Sequence, residues 1–257
     1  MSLLEINGLS KSFGGVHAVQ NLEYTVESGK VHSIIGPNGA GKTTLFNMVT
    51  GVYAPTSGKT HLNGRDITGL PAYKLAALGI SRSFQNLQVF FNMTVLENVM
   101  VGAHLHCRRG FLESLLHTPS ISRSNDGARR RATELLEWVG LEAYITAHTD
   151  SLPYGALKRM EIARALASDP KLLLLDEPAA GLNNIETQEI DKLIQQISDN
   201  GVTVILVEHD MRLVMGVSDH ILVMEHGQKL AEGTAGEIRK NPDVIAAYLG
   251  GAAEKSD

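Results

Sequence analysis

Residues 31–44 read Val-His-Ser-Ile-Ile-Gly-Pro-Asn-Gly-Ala-Gly-Lys-Thr-Thr, and this stretch carries the strongest structural signal in the chain. Its first five residues are mostly apolar, which predicts a short buried strand. Apolar residues then recur at helical spacing after Thr44 until Gly51 and Pro55, residue types that are typical of a helix end. The stretch therefore predicts a strand, a Gly-rich loop and a helix in immediate succession.

The Gly-rich loop from Gly36 to Thr43 has the spacing Gly-x-x-x-x-Gly-Lys-Thr, which is the P-loop pattern. Its place between a predicted strand and a predicted helix is the context that this pattern requires. Glycines allow backbone N–H groups to converge on phosphate oxygens, and the start of the helix adds its positive dipole end. We expect Lys42 to contact the β- and γ-phosphates of a nucleotide and the Thr43 hydroxyl to bind Mg²⁺.

Polar residues that suit hydrolysis follow two apolar runs in the second half of the chain. Asp176 and Glu177 come directly after Leu172–Leu175, and His209 comes shortly after Thr203–Val207. Ligands of open α/β sheets bind at the carboxyl ends of strands, so these side chains are expected to face the site. Asp176 fits a role in binding the metal through water, Glu177 could polarise the attacking water, and His209 could bond the γ-phosphate or that water.

The remaining pattern predicts an α/β fold with a mostly parallel core sheet, because continuous apolar strands alternate with helices. A flanking antiparallel sheet is predicted from strand-like runs at Leu3–Leu9 and Leu22–Glu27 and from the turn signal at Asn63-Gly64. In the second half we predict two helices and three strands: helices near Leu157–Ser168 and Ile185–Ser198, and strands at Leu172–Leu175, Thr203–Val207 and Ile221–Met224.

The middle of the chain is predicted to be mainly helical. Thr94-Val-Leu-Glu97 has the spacing of a capping box, which predicts a helix start. Periodicity is weak from Ala103 to Arg131, and breaks are predicted around Arg108–Gly110, Thr118-Pro119 and Ser122–Gly127. We interpret this region as a helical insertion with a loop that is suited to contact a partner.

Composition narrows the class of protein further. The net charge of −5 over 257 residues provides no broad basic field, so a nucleic-acid partner is not favoured. The single cysteine, Cys107, cannot form an internal disulfide, which favours a reducing compartment. No apolar run is long enough to span a membrane, and Met1–Ser10 lacks the features of a signal peptide. Any role at a membrane would therefore require docking onto a separate membrane protein.

Taken in order along the chain, these motifs resemble those of ABC-transporter nucleotide-binding domains. The shared features are the P-loop, Gln85, Leu152-Pro-Tyr-Gly155, Asp176-Glu177, Ala180-Gly-Leu-Asn183 and His209. A narrower resemblance is to the ATPase subunits of branched-chain amino-acid importers. It rests on Gly69-Leu-Pro71, Arg82–Asn86, Met93–Gly102, Glu208–Met211, Asn241–Val244 and Ala247–Gly250.

The resemblance implies a role for each matching residue. Phe13 would stack on adenine, and Mg²⁺ would be bound by Thr43, Gln85 and Asp176. The catalytic residues would be Glu177, His209 as the switch histidine, and Gln85. ATP would be bound by Phe13, Gly36, Pro37, Asn38, Gly39, Ala40, Gly41, Lys42, Thr43 and Thr44.

Two further segments would act across a dimer in which two chains enclose two ATP molecules. The signature segment comprises Leu152, Pro153, Tyr154, Gly155 and Ala156, and it would close over the ATP of the opposite subunit. The D-loop comprises Ala180, Gly181, Leu182 and Asn183. Pro153 stands where the family usually has serine and Asn183 where it usually has aspartate. These departures affect the side-chain bond to the γ-phosphate and the coupling of the two sites.

The sequence thus predicts one nucleotide-binding domain over residues 1–257. Within it, residues 1–84 and 171–257 would form the ATP-binding core with its antiparallel sheet, and residues 85–170 the helical subdomain. The implied function is to power import of branched-chain or similar hydrophobic amino acids through a separate permease, at the cytoplasmic face of the membrane. Partners would be the permease, a second ATPase subunit and, indirectly, a solute-binding protein. The alternatives are an ATPase of a lipid or lipopolysaccharide exporter and a soluble ABC protein that acts on DNA or ribosomes.

Overall fold

The structure is a computed structural model that describes residues 1–83, 87–103 and 119–253. The chain divides into two compact units. The first joins Met1–Leu75 to Leu174–Asp257, and the second spans Ala76–Leu173. The strands are β1 (Ser2–Phe13), β2 (Val16–Glu27), β3 (Val31–Ile35), β4 (Ser57–Leu62), β5 (Arg65–Asp66), β6 (Ile80–Arg82), β7 (Leu172–Asp176), β8 (Thr203–Val207), β9 (His220–Glu225) and β10 (Gln228–Gly233).

The helices carry most of the connections between these strands. They are α1 (Lys42–Val49), α2 (Ala72–Ala77), α3 (Val95–Gly102), α4 (Pro119–Trp138), α5 (Tyr154–Leu166), α6 (Asn184–Asp199), α7 (Met211–Val217), α8 (Ala235–Ile238) and α9 (Pro242–Ala253). Short 3₁₀ turns lie at Glu142–Tyr144 and Thr149–Ser151. Within the described ranges, no helix combines the length and the apolar character needed to cross a membrane.

The core sheet of the first unit confirms the predicted α/β class. Its strands run in the order β10-β9-β3-β8-β7, and β3 is parallel to both of its neighbours. All five positions of β3, β7 and β8 are buried, which explains their nearly continuous apolar sequences. The sequence prediction missed β10, which pairs antiparallel with β9. Because half of the residues of β10 are polar and most of the strand is exposed or only partly buried, it lacks the apolar run used to recognise the other strands.

The predicted antiparallel sheet is also confirmed, in the order β2-β1-β4-β5. Gly14-Gly15 forms the turn between β1 and β2, and Asn63-Gly64 forms the turn between β4 and β5. Both strands of the first hairpin are longer than predicted, because most of their additional residues are exposed or only half-buried and lack a strong apolar alternation.

The second unit is mainly helical, and its capping box is confirmed. Thr94 Oγ1 accepts a hydrogen bond from the Glu97 N–H (3.2 Å), and Glu97 Oε2 accepts one from the Thr94 N–H (2.8 Å). Helix α3 packs against α4 and α5. One prediction was wrong, since α4 continues through 122–127, where a break was expected. Pro119 stands at its first position, where a fixed φ favours helix, and buried Ala132 and Leu136 anchor it, so packing overrides weak local propensity.

Candidate nucleotide-binding site

The Gly-rich loop connects the end of β3 to the start of α1, as predicted. Two of its glycines lie against backbone: a Cβ on Gly36 would be 2.1 Å from the Met224 carbonyl oxygen, and one on Gly41 would be 2.3 Å from that of Ala18. Gly41 also has a φ of 97°, which a side chain disfavours. Both positions therefore require glycine for this path of the loop, independent of any ligand.

Lys42 is the first residue of α1 and is buried, with 6% of its surface exposed. Its Nζ donates hydrogen bonds to the carbonyl oxygens of Gly36 (2.7 Å) and Pro37 (2.9 Å). Burial lowers the pKa of Lys42, and the negative charge of Glu177 partly opposes that shift. The Lys42 amino group thus lies inside the curve of the loop, where it contacts two of the loop's carbonyl oxygens.

The N-terminus of α1 is suited to bind an anion. Its N-cap, Gly41, has no side chain to accept the first N–H groups, and no acidic residue lies in the first turn. The initial N–H groups of a helix need partners from outside its own ladder, and phosphate oxygens are suitable ones. Thr43, the predicted metal-binding hydroxyl, is exposed in this first turn. The residues present therefore fit the phosphates of a nucleotide.

Asp176 and Glu177 lie at the carboxyl end of β7. Asp176 is the last residue of the strand and is 4% exposed, while the Glu177 side chain is 19% exposed. Glu177 has a φ of 48°, in the left-handed region that is unusual for a residue other than glycine. Its N–H donates to the Val207 carbonyl at the end of β8 (2.9 Å), and its carbonyl accepts from the Ala180 N–H (3.1 Å). These bonds hold an otherwise unfavourable backbone conformation.

His209 lies beside Glu177, as expected for side chains at the carboxyl ends of neighbouring strands. The distance between His209 Nε2 and Glu177 Oε1 is 2.9 Å, which is a hydrogen bond, and the His209 side chain is about half exposed. The two residues are 32 positions apart in sequence. The structure therefore brings together Lys42, Asp176, Glu177 and His209 within the first unit.

Glu208 is a residue of this region to which sequence reasoning assigned no role. It is 4% exposed, and its carboxylate accepts hydrogen bonds from the N–H groups of Ala179 (2.9 Å), His209 (2.8 Å) and Asp210 (3.2 Å). Asp210 in turn caps α7 by accepting from the N–H groups of Arg212 and Leu213. The sequence signal that could have identified Glu208 is an acidic residue at the end of a buried strand, next to a candidate catalytic histidine.

Phe13 lies at the end of β1, where 43% of its surface is exposed. The sequence did not single out its two neighbours. Tyr53 meets the ring edge to face at 5.3 Å between centroids, and Lys11 Nζ lies 5.1 Å from the Phe13 centroid. An exposed aromatic pair with an adjacent cation is suited to stack against a flat ring of a ligand.

The signature segment lies in the second unit, at the start of α5. Pro153 is the N-cap and provides no side-chain hydrogen bond, and no acidic residue lies in the first turn. Leu152, Gly155 and Ala156 are buried, whereas Tyr154 is 44% exposed, with Lys158 Nζ 5.9 Å from its ring centroid. Like α1, this helix begins without a side-chain acceptor for its first N–H groups.

The D-loop ends in a complete capping box. Asn183 Oδ1 accepts from the N–H groups of Ile185 (2.9 Å) and Glu186 (3.0 Å), and Glu186 Oε2 accepts from the Asn183 N–H (3.0 Å). Ala180, Gly181 and Leu182 form the preceding turn, with Gly181 at a φ of 80°. Asparagine and aspartate are equally good N-caps, so Asn183 retains the local structural role that aspartate would have.

Three sequence predictions lie outside the described residues: Gln85 with its neighbours Phe84 and Asn86, Cys107, and residues 104–118 of the proposed insertion. Among the residues that the structure does describe, no three His, Cys, Asp or Glu side chains converge as a metal-binding cluster.

In this chain a P-loop with a buried lysine follows β3, and two acidic residues stand at the end of β7. These features define a P-loop nucleotide-binding protein of the α/β class. The chain belongs to the ABC transporter family, whose profile matches residues 19–180. ATP hydrolysis is the activity of this family. A second profile, described as branched-chain amino acid ATP-binding cassette transporter, matches residues 228–254.

Curated relatives resemble the chain over nearly its whole length. The high-affinity branched-chain amino acid transport ATP-binding protein BraF of Pseudomonas aeruginosa is 49% identical, over 97% of this chain and 98% of the relative. LivG of Escherichia coli, with the same description, is 47% identical over the same shares.

Solved structures show the same fold. The ADP conformation of MJ1267, an ATP-binding cassette of an ABC transporter, matches with a TM-score of 0.85 at 32% identity, over 97% of this chain and 99% of the other. A dimeric post-hydrolysis state of the cassette MJ0796, bound to ADP and Pi, matches with a TM-score of 0.76 at 25% identity, over 91% and 99%.

Proposed function

We propose that this chain hydrolyses ATP to power a membrane importer of branched-chain or similar hydrophobic amino acids. The observation that carries the proposal is the pairing of Glu177 with His209 at the same edge of the core sheet as Lys42 and the open start of α1. A carboxylate and an imidazole at that edge supply the groups that act on water, and the loop supplies the groups that bind phosphate.

Binding of ATP is assigned to the loop and to the aromatic pair. Residues Gly36–Thr44 would offer their backbone N–H groups to the phosphates. Lys42 would exchange its bonds to the Gly36 and Pro37 carbonyls for bonds to the β- and γ-phosphates. Phe13 would stack on the adenine, with Tyr53 supporting its ring from the side.

Hydrolysis is assigned to Glu177 and His209. Glu177 would accept hydrogen bonds from the attacking water and orient it toward the γ-phosphate, and His209 would contact the γ-phosphate or that water. Asp176, Thr43 and Gln85 would hold Mg²⁺, which would neutralise charge on the phosphate oxygens when bound. The set of one buried carboxylate and one exposed hydroxyl suits Mg²⁺, because this ion keeps waters and substrate phosphates as its other ligands.

The complete site would require two subunits. The signature segment Leu152–Ala156 of one subunit would close over the ATP of the other, and the D-loop Ala180–Asn183 would lie near the same contact. Pro153 has neither a hydroxyl nor an N–H, so Gly155 and the open start of α5 would make the phosphate contact. The dimeric state of MJ0796 with ADP and Pi supports this arrangement. In the proposal, the first unit is the ATP-binding core and the second is the helical signature subdomain.

The proposed partners and direction of transport are supported by the descriptions of the relatives. BraF and LivG are described as ATP-binding proteins of high-affinity branched-chain amino acid transport, which supports import rather than lipid export. The proposed location is therefore the cytoplasmic face of the membrane, on a permease that the chain does not contain. A solute-binding protein would select the solute and would contact the permease rather than this chain.

The test separates binding of ATP from its hydrolysis. Glu177→Gln should reduce the rate of phosphate release by about 100- to 10,000-fold, the usual contribution of a general base, while the Kd for ATP stays within about threefold. The variant should also accumulate as an ATP-bound dimer in gel filtration. Glu23→Gln, an exposed substitution on β2, is the matched control and should retain full turnover. Normal turnover by the Glu177→Gln protein would remove Glu177 from its proposed role.

A further inference from the structure

Glu208 occupies an unusual position for a carboxylate, because it is almost fully buried and all its described acceptor contacts are to backbone N–H groups. Oε1 accepts from the Ala179 N–H (2.9 Å), and Oε2 accepts from the His209 N–H (2.8 Å) and the Asp210 N–H (3.2 Å). The side chain therefore bridges two loops that are separated by 29 residues in sequence. One loop follows β7 and the other follows β8.

These two loops each carry one member of the candidate catalytic pair. Ala179 lies two residues after Glu177, and His209 is the residue next to Glu208. The Glu208 carboxylate thus connects the backbone of the Glu177 loop to the backbone of His209. A second connection runs in parallel, from the Glu177 N–H to the Val207 carbonyl (2.9 Å). With both in place, the loops have little freedom to slide past each other.

The backbone of Glu177 needs such support. Its φ of 48° lies in a region that costs energy for a non-glycine residue, and such conformations persist only where the surroundings fix them. The 2.9 Å bond between Glu177 Oε1 and His209 Nε2 also depends on the relative position of the two loops. A shift of about 1 Å in a catalytic group can reduce turnover by about 100-fold.

We propose that Glu208 is a positioning residue of the ATPase site, which holds Glu177 and His209 at the separation that hydrolysis requires. This inference rests on the proposed function, since it assigns Glu208 a role only through that pair. Glu208 itself does not contact the nucleotide in this scheme. Its carboxylate acts by accepting backbone N–H groups from both loops at once, which a neutral amide of the same shape cannot do.

The decisive variant is Glu208→Gln, because glutamine keeps the shape of the side chain but has one acceptor oxygen instead of two. Its NH₂ group would face a backbone N–H on one of the two loops, so one connection would be lost. We expect kcat of the purified full-length chain to fall by about 10- to 100-fold, with the Kd for ATP within about threefold of the parent. Glu237→Gln is the matched control, since Glu237 also accepts a backbone N–H, from Thr234 (2.8 Å), but on α8. It should retain the parent kcat.

A double-variant comparison distinguishes positioning from a purely structural role. If Glu208 acts through the catalytic pair, Glu208→Gln should reduce kcat little further in a His209→Ala background. An undiminished kcat in the single variant, a loss of equal size in both backgrounds, or a loss of ATP affinity as large as the loss of kcat would each overturn the proposal. Glu208→Asp, which keeps both oxygens on a shorter side chain, carries the same test if Glu208→Gln fails to fold.

A failure of the positioning role of Glu208 can be distinguished from a failure of the proposed ATPase function. If Glu177→Gln loses turnover and Glu208→Gln does not, the positioning role is wrong and the ATPase assignment stands. If Glu177→Gln itself retains turnover, the ATPase assignment is the one that fails.

Discussion

The polar groups at the two ends of strand β3 differ in the hydrogen-bond partners that the chain provides for them. At the start of the strand, His32 is 1% exposed and both of its ring nitrogens are bonded inside the chain: Nε2 accepts from the Glu27 N–H (3.0 Å), and Nδ1 lies 2.9 Å from Tyr24 Oη. At the other end, α1 begins with no side-chain cap, and the buried Lys42 Nζ donates to two carbonyl groups of the loop. The polar groups of His32 at the start of β3 are therefore satisfied within the chain, whereas the loop and helix that follow the end of β3 can bind an anion.

The helix starts show the same contrast. Helices α3, α6 and α8 begin with full capping boxes, and α7 is capped by Asp210. Helices α1 and α5 have no side-chain cap, and these are the two that follow the P-loop and the signature segment. Polar groups satisfied within the chain stabilise the fold, whereas those left without a side-chain partner identify where a ligand is expected.

The largest effect is expected from removing Lys42, the buried lysine in the loop and helix that follow the carboxyl end of β3. Lys42→Ala should weaken ATP binding by about 10- to 100-fold, because a hydrogen bond to a charged group contributes about 1.5–3 kcal/mol. Isothermal titration of the full chain with ATP would measure it. Lys30→Ala is the matched control, since Lys30 lies at the other end of β3 and is half exposed. An equal loss of affinity in both variants would contradict the distinction between the two ends.

At the start of β3, the buried His32 should instead make the stability of the fold depend on pH. Burial, and next the nearby His220, lower the pKa of His32 from 6.5 to about 4. The unfolded chain therefore binds more protons between these values, and stability is lost as the pH falls from about 6.5 toward 4. For His32 alone the loss from pH 7 to pH 5 amounts to about 2 kcal/mol.

Urea unfolding at a series of pH values would measure this effect. His32→Gln should flatten the dependence between pH 5 and pH 7 by about that amount, because glutamine does not titrate. His17→Gln, at an exposed histidine on β2, should leave the dependence as it is in the parent. An unchanged slope in the His32 variant would show that the buried imidazole is not the group responsible, leaving Asp219 and His220, which also face it, to be tested.

The smallest expected effect concerns the cap of α6, which the comparison assigns to stability rather than to ligand binding. Asn183→Ala removes the acceptor for two backbone N–H groups and should reduce the free energy of unfolding by about 1 kcal/mol. Asn183→Asp should change it by only a few tenths, since aspartate caps equally well. If Asn183→Ala keeps its stability but loses ATP-dependent dimerisation, the side chain acts across the subunit contact instead.

Most of the regular elements could be predicted because their signals are local. The bounds predicted for strand β8 match the observed ones, and the capping box at Thr94 is encoded by four consecutive residues. Strand β10 and the continuous course of α4 could not be predicted, because a half-exposed edge strand has no apolar run and the helix depends on buried Ala132 and Leu136. Within the site, Lys42, Glu177 and His209 could be found from motifs. Tyr53 could not, because nothing local marks it as a neighbour of Phe13. For Glu208 the local signal is an acidic residue between a buried strand and His209, but its contact with Ala179 depends on the tertiary structure.

The sequence by itself determined where the chain changes from strand to loop to helix around Gly36–Lys42, since glycine freedom and the charge of lysine are properties of the residues themselves. It also determined which helix starts have a cap, because a cap lies within three residues of the groups it satisfies. Only the tertiary structure decided that Glu177 meets His209 and that Glu208 holds Ala179. Those contacts join residues about 30 positions apart, and they form because neighbouring strands of one sheet end side by side, which is a consequence of strand pairing and not of any local pattern.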